Sequence, residues 1–302
     1  MNILLLNYLG KKFPLSLNIP IIFIFNITLY GGAGINESEI IYSNNIIFGF
    51  LTIFFVFFHL RLFDDLKDYS KDKNAQILTR KQLTYLLVLT VLLEIVFASI
   101  LGLIPLIFYS IVLLYSILMY FEFFIKEKLN QSILAYNLSH QFIIVLTGLY
   151  IYSFYHKTFV IDEPIFFLFL ILMFSMLCLF EVIRKIKDKD DPDYKKSYEV
   201  IFGKTKLTLY FCLISIIIAI STGLIFYSKQ IIASIFLQVV LLIFVIFILI
   251  MFYKSSKIVT NKIIKIILAA YLLSTLALLD LTIILTKDVV INILGWMTVI
   301  WV

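Results

Sequence analysis

A chain of 302 residues that is 62% hydrophobic and 17% aromatic, with a mean hydropathy of +1.06, carries too much apolar surface for an ordinary soluble domain and points to a polytopic membrane protein. The net charge of +6 calls for no nucleic-acid partner, because the asymmetry of the basic residues about the apolar runs accounts for it. Cys178 and Cys212 both fall within apolar runs, which argues against a structural disulfide and leaves the compartment open.

Crossing the hydrocarbon takes about 20 residues of helix. Runs of that length stand at roughly 13–33, 46–64, 83–103, 105–124, 131–153, 164–184, 207–228, 231–253 and 264–286. The expectation is an all-α membrane protein with about nine transmembrane helices, forming a single integral-membrane domain over 1–302. Only Gly102 and Pro105 punctuate the third and fourth runs. The stretch from Asp288 to Val302 is apolar but short, and reads as a continuation of the ninth helix or an interfacial segment. With the N-terminus inside, every Lys and Arg except Lys157, Lys229 and Lys287 falls on the cytoplasmic side, so the positive-inside rule supports both the number of spans and their orientation.

The second run ends in Asp64-Asp65-Leu66-Lys67-Asp68-Tyr69-Ser70-Lys71-Asp72. On a helix, Asp64, Asp65, Asp68 and Asp72 share an arc of about 100° and form one acidic stripe. A helix C-terminus is itself partly negative, so the dipole adds to the repulsion among the carboxylates, and a bound cation would relieve both. Mg2+ suits such a place: a hard ion that takes one or two carboxylates and completes its shell with water and phosphate oxygens. The alternative is a solvated helix end in which Lys67, Lys71 and Lys73 neutralise the acids. Arg61, seven residues before Asp68 and on nearly the same face, is placed to pair with an aspartate or reach a phosphate.

A second charged cluster follows the sixth run: Glu181, Arg184, Lys185, Lys187, Asp188, Lys189, Asp190 and Asp191. Glu181, Arg184 and Asp188 repeat the spacing of Asp65, Asp68 and Asp72, which hints at a repeated architecture. Lys187 and Lys189 look like ordinary positive-inside anchors, whereas Glu181 and Arg184 adjoin Phe180, Val182 and Ile183. An acidic stripe combined with such a cluster is what a diphosphate site requires: metal bridges carboxylates to phosphate oxygens, and cations hold the charge that grows on a departing diphosphate.

At these residues the chain resembles the UbiA-type intramembrane prenyltransferases, and in particular a divergent bacterial branch of that family. The family's nine-helix fold carries an Asn-Asp-x-x-Asp-x-x-x-Asp motif after helix two, matched by Asp64-Asp65-x-x-Asp68-x-x-x-Asp72 with Asp in place of Asn. Its second aspartate-rich motif follows helix six, where this chain has Glu181-x-x-Arg184-Lys185-Ile186-Lys187 and then Asp190-Asp191. Ser139-His140 matches a Ser-His pair usual in helix five of that branch, and Arg80 is what remains of a basic stretch after the first motif. The resemblance implies a UbiA-like helical bundle in a bacterial inner membrane, with N-terminus and acidic motifs cytoplasmic. It implies Mg2+ held by Asp64, Asp65, Asp68 and Asp72, with Glu181, Asp188 and Asp190 on the opposite side. Arg61, Arg80, Arg184, Lys185 and Lys187 would bind an isoprenyl diphosphate donor, and Asp65, Asp68, Arg184 and His140 would serve catalysis toward a lipophilic acceptor.

Polar residues within the runs are functional candidates, because they are costly in lipid: Asn26, His59, Glu94, Asn137, His140, Gln238 and Asp280. His140 either orients or deprotonates an acceptor, or makes an interhelical hydrogen bond worth about 0.6–2 kcal/mol. His59 lies about 120° from Asp65 around the helix and is not assigned to the site. The 30 Phe and 18 Tyr offer cation–π shielding to an allylic cation, although lipid-facing packing explains them equally well. Three activities remain open: prenyl transfer, membrane terpene cyclisation without an acceptor, and transport or lipid binding without chemistry. Pro14, Pro20, Pro105, Pro164 and Pro192 lie mostly near span ends, which disfavours the broken helices of a transporter.

Overall fold

The computed structural model describes residues 2–33, 45–69, 77–131, 133–156, 164–187, 191, 194–254 and 260–285. Among them the regular elements are all helical. In chain order they are α1 (Asn2–Lys12), α2 (Leu15–Ala33), α3 (Asn45–Lys67), α4 (Arg80–Leu101), α5 (Leu103–Tyr120), α6 (Lys126–Gln131), α7 (Ile133–Gln141), α8 (Ile143–His156), α9 (Pro164–Lys185), α10 (Tyr198–Phe202), α11 (Lys204–Ser228), α12 (Ile232–Lys254) and α13 (Asn261–Leu285). Seven helices among the described residues are long and apolar enough to cross a membrane: α3, α4, α5, α9, α11, α12 and α13. The run at 13–33 corresponds to α2, which carries Pro20 inside it. The run at 131–153 is two helices, interrupted at Phe142, where Val145 N–H turns back to the Phe142 carbonyl at 3.0 Å. No glycine or proline marks that break. Asp288 to Val302 lies outside the described residues.

The faces of α4 are those of a lipid-embedded helix. Tyr85, Val88, Leu89, Leu92, Ile95, Val96 and Ile100 form an exposed apolar stripe, while Thr90 and Glu94 are buried. That reverses the soluble pattern, as expected where lipid replaces water and packing and hydrogen bonds hold helices together. Thr79 and Gln82 start α4 with a reciprocal capping box, each side chain bonding the other's backbone N–H. Gly102 alone connects α4 to α5, at φ +123 and ψ 177, a conformation open essentially only to glycine.

The chain divides into two compact units, Met1–Asp162 and Glu163–Val302. In the first, α3 packs on α4, α2 and α8, and α5 packs on α8 and α4. Gly49 of α3 makes the α3–α8 approach possible, since a Cβ there would meet Phe154 Cζ at 2.5 Å. The Tyr150 hydroxyl of α8 donates to Thr52 Oγ1 of α3 at 3.0 Å. In the second unit, α11 packs between α9 and α12, and α13 packs on α12 and α9. Phe166, Phe169, Phe211, Phe226 and Phe252 fill its core.

Candidate functional site

The acidic end of α3 is helical as the spacing predicts: Asp68 N–H bonds the Asp64 carbonyl at 3.0 Å, continuing the helix past Lys67. Asp64 and Asp68 are exposed one turn apart, and Asp65 is turned inward with its side chain 14% exposed. Both Asp65 oxygens are engaged. Arg61 donates to Oδ1 at 2.7 Å and the buried Tyr8 hydroxyl donates to Oδ2 at 2.6 Å. Burial foremost, and then the bond to Asp65, pushes the Tyr8 pKa up, so Tyr8 remains a proton donor at physiological pH. Arg61 Nε is buried and, among the described residues, has no hydrogen-bond partner. Asp72 lies outside the described residues. Arg80 is exposed at the first position of α4 and has no ion-pair partner among the described residues.

Lys67, the last residue of α3, turns to Glu122 in the link between α5 and α6 and forms an ion pair with it. Lys126 stands 3.7 Å from the same carboxylate. Glu122, Phe123 and Phe124 have φ of 51, 54 and 58, three consecutive side-chain-bearing residues in the left-handed region, which costs roughly 1–2 kcal/mol each. Burial opposes ionisation of Glu122, but the hydrogen bond and charge of Lys67, then Lys126 and His140, outweigh it and hold the carboxyl below its ordinary value. The Lys67 ammonium also lies 5.9 Å from the centre of the Tyr136 ring.

His140 belongs to the same neighbourhood. Its ring stacks on Tyr136 at 4.0 Å and meets Phe123 edge-on at 6.2 Å. Nδ1 donates to the Tyr136 carbonyl at 2.9 Å, which leaves Nε2 as the basic nitrogen of the neutral ring. Tyr115 donates to the Ser139 carbonyl at 2.5 Å and so fixes the Ser139-His140 segment against α5. The structure therefore brings His140 to Lys67 and Glu122, beside the acidic end of α3. Tyr8, Glu122 and Tyr136 join this group through tertiary contacts that no local pattern announces, whereas Lys67, expected beside the acids, pairs with Glu122.

In the second unit, Glu181 is half-buried and saturated by the cations that follow it. Arg184 Nε and a terminal nitrogen grip its two oxygens at 3.0 and 2.9 Å, and Lys185 reaches it at 2.9 Å. The Lys185 ammonium also lies 5.4 Å from the centre of the Tyr198 ring. Lys187 pairs with Asp191 at 3.5 Å. The Lys187 backbone is tied at both ends: its N–H donates to Ser197 Oγ at 3.0 Å, and its carbonyl accepts from Asn261 at 2.8 Å. Asn261 also donates to Glu199 at 2.6 Å, anchoring the start of α13 to this link. Asp188 and Asp190 lie outside the described residues.

Among the described residues no three His, Cys, Asp or Glu side chains converge to hold a metal ion. The donor set at the end of α3 still fits Mg2+. Asp64 and Asp68 are hard oxygen donors exposed one turn apart, and Mg2+ needs only one or two carboxylates, with water and phosphate completing its shell. The orphaned Arg61 Nε beside them suits an anionic oxygen.

A separate polar network occupies the interior of the first unit. Glu94 of α4 accepts from His59 Nδ1 of α3 and, at 2.5 Å, from the Tyr109 hydroxyl of α5. In the second unit Gln238 donates to the Tyr271 hydroxyl at 3.3 Å and to Thr275 at 3.4 Å. The side chain of Asp280 lies outside the described ones.

These observations define an all-α, multi-pass integral membrane protein with a carboxylate cluster at the end of its third helix. Its fold is that of the UbiA homologues. The apo structure of a UbiA homologue from Aeropyrum pernix K1 matches over 88% of this chain and 98% of its own, with a TM-score of 0.63 and 11% identity. A digeranylgeranylglyceryl phosphate synthase matches over 88% and 96%, with a TM-score of 0.60 and 17% identity. A UbiA homologue from Archaeoglobus fulgidus bound to Cd2+ matches over 88% and 98%, with a TM-score of 0.52 and 13% identity. No family model and no curated protein matches the sequence.

Proposed function

We propose that the chain acts as a single intramembrane prenyltransferase domain, moving an isoprenyl group from an allylic diphosphate to a lipophilic acceptor drawn from the membrane. The observation that carries this reading is the pair Asp64 and Asp68 at the end of α3, flanked by the orphaned Arg61 Nε, within a fold similar to that of a digeranylgeranylglyceryl phosphate synthase.

Asp64 and Asp68, with Asp72, would hold Mg2+. Held by these carboxylates, a divalent cation would supply positive charge against the departing diphosphate. Asp65, gripped by Arg61 and Tyr8, fixes α1 against the end of α3 and aims Arg61 at a phosphate oxygen. Arg80 would supply a further cation in the first unit; in the second unit, taken by itself, Arg184, Lys185 and Lys187 would bind phosphate oxygens, with Glu181, Asp188 and Asp190 as the acids of the second motif. A phosphate bound there would compete with Glu181 for Arg184 and Lys185. The allylic C–O bond breaks toward diphosphate, the acceptor forms the new bond, and its proton passes to His140 Nε2. The acidic ends face the cytoplasm of a bacterial cell, where a water-soluble diphosphate headgroup is delivered while its tail enters lipid.

The test is Mg2+-dependent diphosphate release from a panel of isoprenyl diphosphates by protein in detergent, with and without a membrane-lipid extract, and with Asp68→Asn as control. Release that requires the extract and vanishes in the variant supports transfer. Release without the extract favours a cyclase, and no release from folded protein favours binding or transport.

A further inference from the structure

α9 ends at Lys185, so the backbone of Lys187 lies past the helical ladder, where N–H and C=O groups need partners from outside the helix. The fold supplies both from side chains. Lys187 N–H donates to Ser197 Oγ at 3.0 Å, and its carbonyl accepts at 2.8 Å from Nδ2 of Asn261, the first residue of α13. The N–H belongs to the peptide plane before Lys187 and the C=O to the plane after it. Holding both planes fixes φ and ψ at Lys187, and with them the direction of its side chain. Ser197 is 0% and Asn261 8% exposed, so water does not compete for these bonds. The same Asn261 nitrogen donates to Glu199 at 2.6 Å; an amide has two hydrogens to divide between a carbonyl and a carboxylate, and an aspartate has none. Beyond this clamp the Lys187 side chain is 38% exposed and its ammonium stands 3.5 Å from Asp191, an exposed pair of the weak kind that an anion displaces.

We propose that Asn261 and Ser197 are positioning residues of the second motif: by holding both peptide planes of Lys187 they aim its ammonium at a phosphate oxygen, and so set the affinity of the second unit for a phosphorylated headgroup. This rests on the reading of Arg184, Lys185 and Lys187 as phosphate-binding cations. A lysine that looks from the sequence like an ordinary positive-inside anchor is thereby given a fixed backbone by a residue 74 positions further along the chain.

The test measures pyrophosphate binding by calorimetric titration of the full chain in detergent without divalent metal, with melting temperatures taken in parallel. Lys187→Met should weaken binding about tenfold, the order of one hydrogen bond to a charged group. Asn261→Asp, which turns an oxygen toward the Lys187 carbonyl, should cost nearly as much, and Ser197→Ala should cost severalfold with a smaller perturbation of the fold. In the Lys187→Met background both substitutions should leave the remaining affinity unchanged, because they act through Lys187. An equal loss in that background would mark a merely structural role and overturn the proposal. Unchanged affinity in Asn261→Asp and Ser197→Ala, or in Lys187→Met, also overturns it, while a loss in Arg184→Met with Lys185→Met keeps the phosphate reading. Pyrophosphate binding that none of these substitutions alters, or no binding by the wild type, overturns both.

Discussion

His59 Nδ1 lies 2.9 and 3.0 Å from the two oxygens of Glu94, with both side chains at 0% exposure in the interior of the first unit. The Tyr109 hydroxyl completes the group at 2.5 Å and links α5 to α3 and α4. Removing Glu94 strands two buried partners, at about 1–3 kcal/mol each, whereas removing both members of the pair leaves less unsatisfied. Glu94→Leu should therefore melt well below wild type in detergent, Glu94→Gln should fall between them, and His59→Leu with Glu94→Leu should recover part of the loss. A double variant no more stable than the single one would show that the pair does not act as a unit.

Gly102 carries the whole connection between α4 and α5 at φ +123. A Cβ there would meet only Pro105 Cδ, at 3.9 Å, so space is not the obstacle and the cost is in the backbone. Gly102→Ala should destabilise by about 1–3 kcal/mol. Thermal unfolding would detect it; an unchanged midpoint would mean the turn relaxes freely.

The Glu122 carboxyl is held below the ordinary glutamate range because Lys67, Lys126 and His140 outweigh its burial. A lowered folded pKa contributes stability above the unfolded value, about 4.3 for Glu, and that contribution is lost as pH falls through the folded value. The difference in melting temperature between wild type and Glu122→Gln should hence be constant near neutrality and shrink below about pH 4.3. A difference that grows with acidity contradicts the ion pair.

Glu181 is bound by Arg184, whose side chain is 60% exposed, and by Lys185. Exposed pairs of this kind contribute about 0–1 kcal/mol, so Glu181→Gln should hardly change stability. Its effect on pyrophosphate affinity separates two roles. If Glu181 mainly restrains Arg184 and Lys185, affinity measured without divalent metal should rise severalfold; a fall seen only with Mg2+ present would instead make Glu181 a metal ligand.

The sequence by itself determined the class of fold and the acidic stripe. A bilayer demands about 20 apolar residues per helix, so the spans are written locally, and the helical repeat alone puts Asp64, Asp65 and Asp68 together. Gly102 was legible for the same reason, since one residue's backbone freedom makes the turn. Tertiary structure decided the partners. Tyr8 reaches Asp65 across 57 residues of sequence and His59 reaches Glu94 across 35, while Glu122 claims Lys67 from a turn that no glycine announces. Periodicity fixes which side of a helix a charge occupies. Which opposite charge meets it depends on how helices distant in sequence pack, and in a membrane that is set by side-chain fit and hydrogen bonding summed over many contacts rather than by a local pattern.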